Sequence, residues 1–403
     1  MRRHIGLAAT TAAVIGFLGI GLLGGAALAA EPYKIAHVYG KTGPFEAYAK
    51  QSHVGLMMGI EYATGGSMAV NGREIEVIEK DTQLKPDLGK TLLAEAFGDD
   101  NATLAVGPVS SGVALAMLPV ALEYEKVLLV EPAVADSITG SAWNRYVFRT
   151  GRNSSQDAIS NAVALGAAGN CVATLAQDYA FGRDGVAAFK EALAKTKAKL
   201  VFEEYAPQDT ADFTAPAQRL FDALGKADCP RKIIWVVWAG KGNPLGKLKA
   251  LSPESRGVEL ASGGNILAAM AAYKELPGME GATYYYYEIP KNPVNDWLVA
   301  EHTKRFNAPP DFFTAGGMAA GIAVVEALKK APSGETEALI SAMEGMEFMT
   351  PKGTMRFRKE DHQALQSMYH FKIKVDPAVA WGIPELVREL KIEEMDVPVR
   401  VKK

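Results

Sequence analysis

Strand-like runs and helix-like stretches alternate in two blocks along this chain, and that pattern restricts the fold more than any other feature. In the first block the strand-like runs are Tyr33 to Tyr39, Glu74 to Glu79, Thr103 to Val106 and Val127 to Val130. Helical stretches separate them: one ends near Thr64, one covers Pro86 to Phe97, and one runs from Gly112 to about Tyr124. The alternation restarts after Gly151, with strands expected at Val172 to Ala176, Leu200 to Tyr205 and Ile233 to Val237. Such alternation predicts parallel sheets covered by helices on both faces. Two blocks predict two α/β lobes. Ligands in open α/β sheets bind beyond the carboxyl ends of the strands, so two facing lobes share a cleft.

Length agrees, since 403 residues at roughly 150 per domain make two or three compact units. A chain 48% hydrophobic and 22% charged is neither disordered nor a disulfide-dense miniature. With 43 basic against 46 acidic residues there is no basic excess to bind nucleic acid. A mean hydropathy of +0.01 is too low for a polytopic membrane protein. The amino terminus differs from the rest. A basic start, Met1 to His4, precedes an apolar or small run from Ile5 to Leu28 that ends in Ala27-Leu28-Ala29. Residues 1–29 therefore read as a secretory signal peptide, which predicts a mature chain beginning at Ala30 and located in the periplasm. A retained anchor helix is the alternative, because about 20 apolar residues can span a bilayer. The Gly19–Gly24 match to a dinucleotide fingerprint lies inside this segment, without the strand and helix that the chemistry needs.

No catalytic constellation emerges. The six histidines form no HExxH motif, the two cysteines form no CxxC, and neither a phosphate-binding loop nor a nucleophile elbow is present. No enzyme, cofactor or metal site is expected. Tyr284 to Tyr287 reads as an aromatic strand between the lobes.

Four strand-end stretches carry a family likeness: Gly43-Pro44-Phe45 to Tyr48, Gly107-Pro108-Val109-Ser110-Ser111, Pro132-Ala133, and Asp178-Tyr179-Ala180-Phe181-Gly182. In this order, behind a signal peptide, they resemble the periplasmic solute-binding proteins of ABC importers, in the leucine/isoleucine/valine-binding branch. The resemblance implies two doubly wound lobes joined by a three-segment hinge, and a small-molecule cargo delivered to an inner-membrane ABC permease by a monomeric carrier. A secreted sensor or an enzyme on the same fold are the alternatives. Crossings are placed near 149–151, 286–290 and 350–353. Lobe one is then 31–149 plus 288–350, and lobe two 151–286 plus 353–403.

Ser110 and Ser111 stand before a helix whose first N–H groups lack partners, a ready anion site. Capping alone is the simpler alternative. With the resemblance, the pair is expected to hold a ligand carboxylate, with backbone groups of Ala133 and Val134 beside it. Tyr48, Tyr179, Phe181 and Trp238 offer flat apolar walls, and Asn265 follows Gly263-Gly264 where relatives place contacts. Amino-acid binders of the branch hold the ligand's amine with a threonine and an acid. Here the threonine position reads Ala135, or Val134 with a one-residue shift, and Ala261 to Asn265 carries no carboxylate. A buried ammonium without partners is costly. Asp136 and Asp178 are nearby acids that can supply one. The expected ligand is an aromatic acid, then a short aliphatic acid, then a branched-chain amino acid.

Cys171 and Cys229 stand at the amino ends of the first and third strands of lobe two. Those strands are neighbours in a doubly wound sheet, so a disulfide is expected in an oxidising compartment, with two buried free thiols as the alternative.

Overall fold

The first block of the computed structural model forms one six-stranded sheet from β1 (Tyr33–Tyr39), β2 (Ala69–Val70), β3 (Arg73–Asp81), β4 (Leu104–Val106), β5 (Leu128–Val130) and β6 (Val147–Arg149). Its order is β2-β3-β1-β4-β5-β6, with only β2 antiparallel to its neighbour. The structure describes Met1 and residues 30–401. The expected signal peptide, its glycine run and its cleavage point lie outside the described residues.

The second block forms a four-stranded parallel sheet from β7 (Asn170–Gln177), β8 (Lys199–Ala206), β9 (Arg231–Val237) and β10 (Val258–Ser262), in the order β10-β9-β7-β8. All eight residues of β7 are buried, as a central strand covered on both faces requires. β7 and β9 are neighbours, and Cys171 pairs in register with Lys232. Cys171 and Cys229 form a disulfide with their Cα atoms 5.9 Å apart. This is the two-lobed, doubly wound α/β architecture expected from the sequence.

The chain crosses between lobes more often than expected. It leaves β6 for the lobe-two helix Ser154–Leu165, then returns after β11 (Glu280–Thr283) to the lobe-one helices Pro293–Phe306 and Phe312–Lys330. β11 ends at Thr283, so Tyr284 to Tyr287 is a crossing loop and not the expected strand. Tyr284 and Tyr285 are buried against lobe one, while Tyr286 bonds to Trp381 of lobe two. The expected crossing at 350–353 is a hairpin instead. β12 (Glu347–Thr350), β13 (Gly353–Phe357) and β14 (Ala364–Leu365) form a small antiparallel sheet, and their buried residues belong to the lobe-one core. Gly353, with φ +100°, turns the chain back on itself there. The third crossing follows Leu365, and β15 (Met368–Lys374) and β16 (Ile383–Leu390) then pair beside β11 in lobe two. A fourth crossing follows β16, since Met395 and Val397 are buried in the lobe-one core. The boundary of lobe two at 353–403 is corrected accordingly.

Two helices set the shape of the lobe-one edge. Glu46–Ala63 and Phe312–Lys330 pack with backbones almost touching. A Cβ added at Gly55 or Gly59 would collide with the Thr314 or Met318 carbonyl, and one at Gly317 or Gly321 with the Ser52 or Leu56 carbonyl. The helix Phe312–Lys330 is long and apolar enough to cross a membrane, but 89% of its apolar window is buried in this core. The close packing places Tyr48 against Phe313, with ring centroids 4.4 Å apart, at the mouth of the cleft.

Candidate functional site

Both sheets end at one cavity between the lobes. On lobe one, β4 leads through Gly107 to the helix Ser111–Glu123. Gly107 has φ +123°, and a Cβ there would strike the Val38 carbonyl, so this turn needs glycine. Ser111 Oγ accepts the Ala135 backbone N–H at 3.1 Å and ties the helix start to the loop after β5. Ser110 occupies the cap position without a side-chain capping bond. The start of that helix therefore lies at the cavity lining without a side-chain cap, and the helix dipole favours an anion there.

The crossing after β6 supplies Arg152, the only cation on the cavity lining among the described residues. Its Nε donates to Asp157 Oδ1 at 2.8 Å, and its guanidinium carbon lies 4.8 Å from the Tyr284 ring centroid and 5.1 Å from that of Phe312. Burial alone would lower its pKa, but Asp157, Tyr284 and Glu131 outweigh that and raise it, so Arg152 is a cation. Neither terminal nitrogen has a hydrogen-bond partner among the described residues. Asn153 caps the following helix in a capping box with Gln156, which fixes Ser154, Asp157 and Asn161 toward the cavity. Behind this wall Lys352 donates to Gln366 at 2.6 Å and faces Tyr284 from 4.6 Å. Burial pulls the Lys352 pKa down to about 8.

Lobe two supplies walls. Tyr179 and Phe181 follow β7, with centroids 5.9 Å apart. Trp238 follows β9, is held edge-on against Phe213 at 5.2 Å, and leaves a face for the cavity. Trp235 packs tilted against Phe189, with ring centroids 4.0 Å apart, as packing would predict, yet also lines the cavity. Tyr48 bridges the lobes: its hydroxyl accepts from Gly240 N at 2.8 Å and donates to Asn265 Oδ1 at 2.9 Å. The lobes are thus closed over a space of about 90 Å³. One water needs roughly 10–15 Å³ by the same measure, so the space suits a small organic molecule.

The structure brings Tyr48, Ser111, Val134, Tyr179, Phe181, Trp238 and Asn265 together on the lining. It leaves Ser110, Ala133, Ala135 and Asp178 off it. The carbonyls of Ala133 and Ala135 turn away to the buried Arg149 guanidinium, at 3.4 and 2.7 Å. Asp178 is exposed and pairs with Arg183 at 2.7 Å on the outer surface, so it cannot meet a ligand amine. Asp136 is held by Ser155 and Arg400 outside the cavity. Sequence reasoning missed Arg152, Asp157, Asn161, Phe312 and Phe313. Among the described residues no cluster of side chains suits a metal ion.

Two α/β lobes facing each other across a small cavity are the architecture of a solute-binding protein. The chain belongs to the periplasmic binding protein family, whose model matches residues 32–378. It is 25% identical over 366 residues to Leu/Ile/Val-binding protein homolog 6 of Brucella suis biovar 1, covering 87% of this chain and 90% of that one. Among solved structures it is similar to an ABC-type branched-chain amino acid transporter from Rhodopseudomonas palustris CGA009, at 70% identity and TM-score 0.83 over 92% of this chain and 100% of the other. It is also similar to a solute-binding protein of an ABC transporter from Rhodopseudomonas palustris BisB5, in complex with 3,4-dihydroxybenzoic acid. That match has 26% identity and TM-score 0.77 over 90% and 98% of the two chains. The protein is a periplasmic substrate-binding component of an ABC transporter, in a family of carriers and not of enzymes.

Proposed function

We propose that this carrier captures a small aromatic carboxylate and delivers it to a permease, after export that removes residues 1–29. The observation that carries the reading is the lining itself: eight aromatic side chains and one guanidinium with free terminal nitrogens. The carboxylate sits at the Ser111 helix start, within reach of Arg152. The ring lies among Tyr48, Tyr179, Phe181 and Trp238, where stacking contributes about 0.5–1.5 kcal/mol per aromatic pair beyond area burial. Among the described residues Asp157 is the acid on the lining; its Oδ1 is held by Arg152 Nε, so a ligand ammonium would compete with that ion pair, whereas the terminal nitrogens of Arg152 remain as donors for a carboxylate. The dihydroxybenzoate bound by the relative from strain BisB5 supports the same class.

The name of the relative at 70% identity favours a branched-chain amino acid as the second reading. Calorimetry separates the two. Benzoate-type acids should bind at least tenfold tighter than leucine, a gap of about 1.4 kcal/mol. Leucine or valine binding tighter than every aromatic acid tested would reverse the assignment.

A further inference from the structure

The family match ends at residue 378, yet the chain continues through β16 and back across the cleft. After β16 it anchors on lobe one. Val397 is buried in that core, and Arg358 donates to the carbonyls of Val397 at 2.6 Å and Pro398 at 3.1 Å. From this anchor Arg400 reaches over the seam. Its Nε lies 2.6 Å from Asp136 Oδ2 of lobe one and 3.0 Å from Ser155 Oγ of lobe two. Its Nη2 lies 2.8 Å from Glu191 Oε2 on the lobe-two helix Ala180–Ala194. About two turns earlier on that helix, Asp184 accepts from Ser137 N at 2.9 Å and Ser137 Oγ at 2.7 Å, again across the seam.

The geometry points to a strap: residues 391–400 cross between the lobes outside the ligand cavity, and Arg400 is a positioning residue that fastens the closed form. Opening carries the helix Ala180–Ala194 away from the turn at Asp136–Thr139, so the bonds to Glu191 and Asp184 count only when the lobes are shut. Apparent affinity scales with the population of the binding-competent state. A latch that favours closure therefore slows release of any ligand by the same factor while touching none of them. Asp136 is buried and Glu191 is half exposed, so the two arms of Arg400 differ. The Asp136 arm fixes the guanidinium, and the Glu191 arm reports on closure.

The strap is independent of the ligand class and is tested on the full chain with benzoate, 3,4-dihydroxybenzoate and leucine as probes. Dissociation is followed by stopped-flow tryptophan fluorescence, and the lobe-to-lobe distance by paired spin labels. Glu191→Gln and Arg400→Ala should each speed dissociation by about 2–5-fold, equally for every probe that binds, with association unchanged. Arg400→Lys should recover part of the loss. If no aromatic probe binds the wild type, the ligand assignment falls, and the strap is read from the distances alone: both variants should shift toward the open separation. Unchanged dissociation rates together with unchanged distances would overturn it. Should Arg400→Ala fail to fold, Glu191→Gln decides alone, because it alters only an exposed carboxylate.

Discussion

Lobe one is welded by backbone contact, whereas lobe two is tied by a covalent cross-link. In lobe one, two helices meet through glycines on both sides, and a single large core runs from the sheet to the third, hairpin-built sheet. Lobe two has two smaller cores on opposite faces of its four-stranded sheet, and the Cys171–Cys229 bond closes the neighbouring strands. The division of labour at the cavity follows. The rigid lobe offers a helix start at Ser111, while the smaller lobe and the hinge offer replaceable side chains.

The largest expected effect is on lobe two. Replacing both cysteines with serine removes a cross-link spanning 58 residues, worth at most ~4 kcal/mol in the chain-entropy model. Hydrogen exchange should accelerate in β7 and β9 while β1 and β4 stay protected. Equal acceleration in both lobes would show one cooperative unit. Next, Gly317→Ala forces the lobe-one helices apart and should cost about 2–3 kcal/mol, read from a denaturant midpoint. No change would mean that the helices slide freely. Third, Trp238→Ala should weaken an aromatic acid by about 1 kcal/mol more than a short aliphatic acid in calorimetry, and equal losses would remove the ring from the ligand.

The smallest effect concerns pH. The four histidines with lowered pKa, His37, His53, His302 and His362, all lie in lobe one, and burial is the main cause in each. His37 is fully buried, 3.0 Å from His53 through their Nδ1 atoms. Its folded pKa is below the unfolded value, so its contribution is whole above about pH 6.5 and is lost as pH falls toward the folded value. Below that pH wild type should lose up to about 1.4 kcal/mol per unit relative to His37→Gln. The buried acids Glu131 and Asp311 slope the other way, since burial raises their pKa values, Asp311 to about 6. The comparison is therefore between variants, and parallel curves would acquit His37.

The alternation of strands and helices made the two lobes legible, because period and turn residues are local properties. The aromatic walls were legible too, since strand ends in such sheets face the cleft. What escaped depended on tertiary partners. Thr350 to Gly353 carries turn chemistry that suits a crossing and a hairpin alike, and only the antiparallel pairing of β12 with β13 decides. Tyr284 to Tyr287 has strand composition, but Tyr284 is claimed by Arg152, Lys352 and the Phe312 carbonyl. Arg152 left a faint signal: Asn153 and Gln156 mark a helix start, and Asp157 and Asn161 share one face four residues apart. Nothing local said that this face turns inward.

Gly240 meets Tyr48 and Phe45 across the cleft with φ +75°, and a Cβ there would run into the Phe45 ring. In the shut form a methyl group here forces the Phe45 ring to move and strains the backbone. A side chain at 240 would act as a doorstop, holding the lobes ajar by its own width while leaving the identity of every side chain on the lining unchanged. Graded wedges of alanine, serine and valine would yield a series of carriers with the same selectivity and stepwise weaker grip. Such a series is what a concentration sensor needs to cover a wide range.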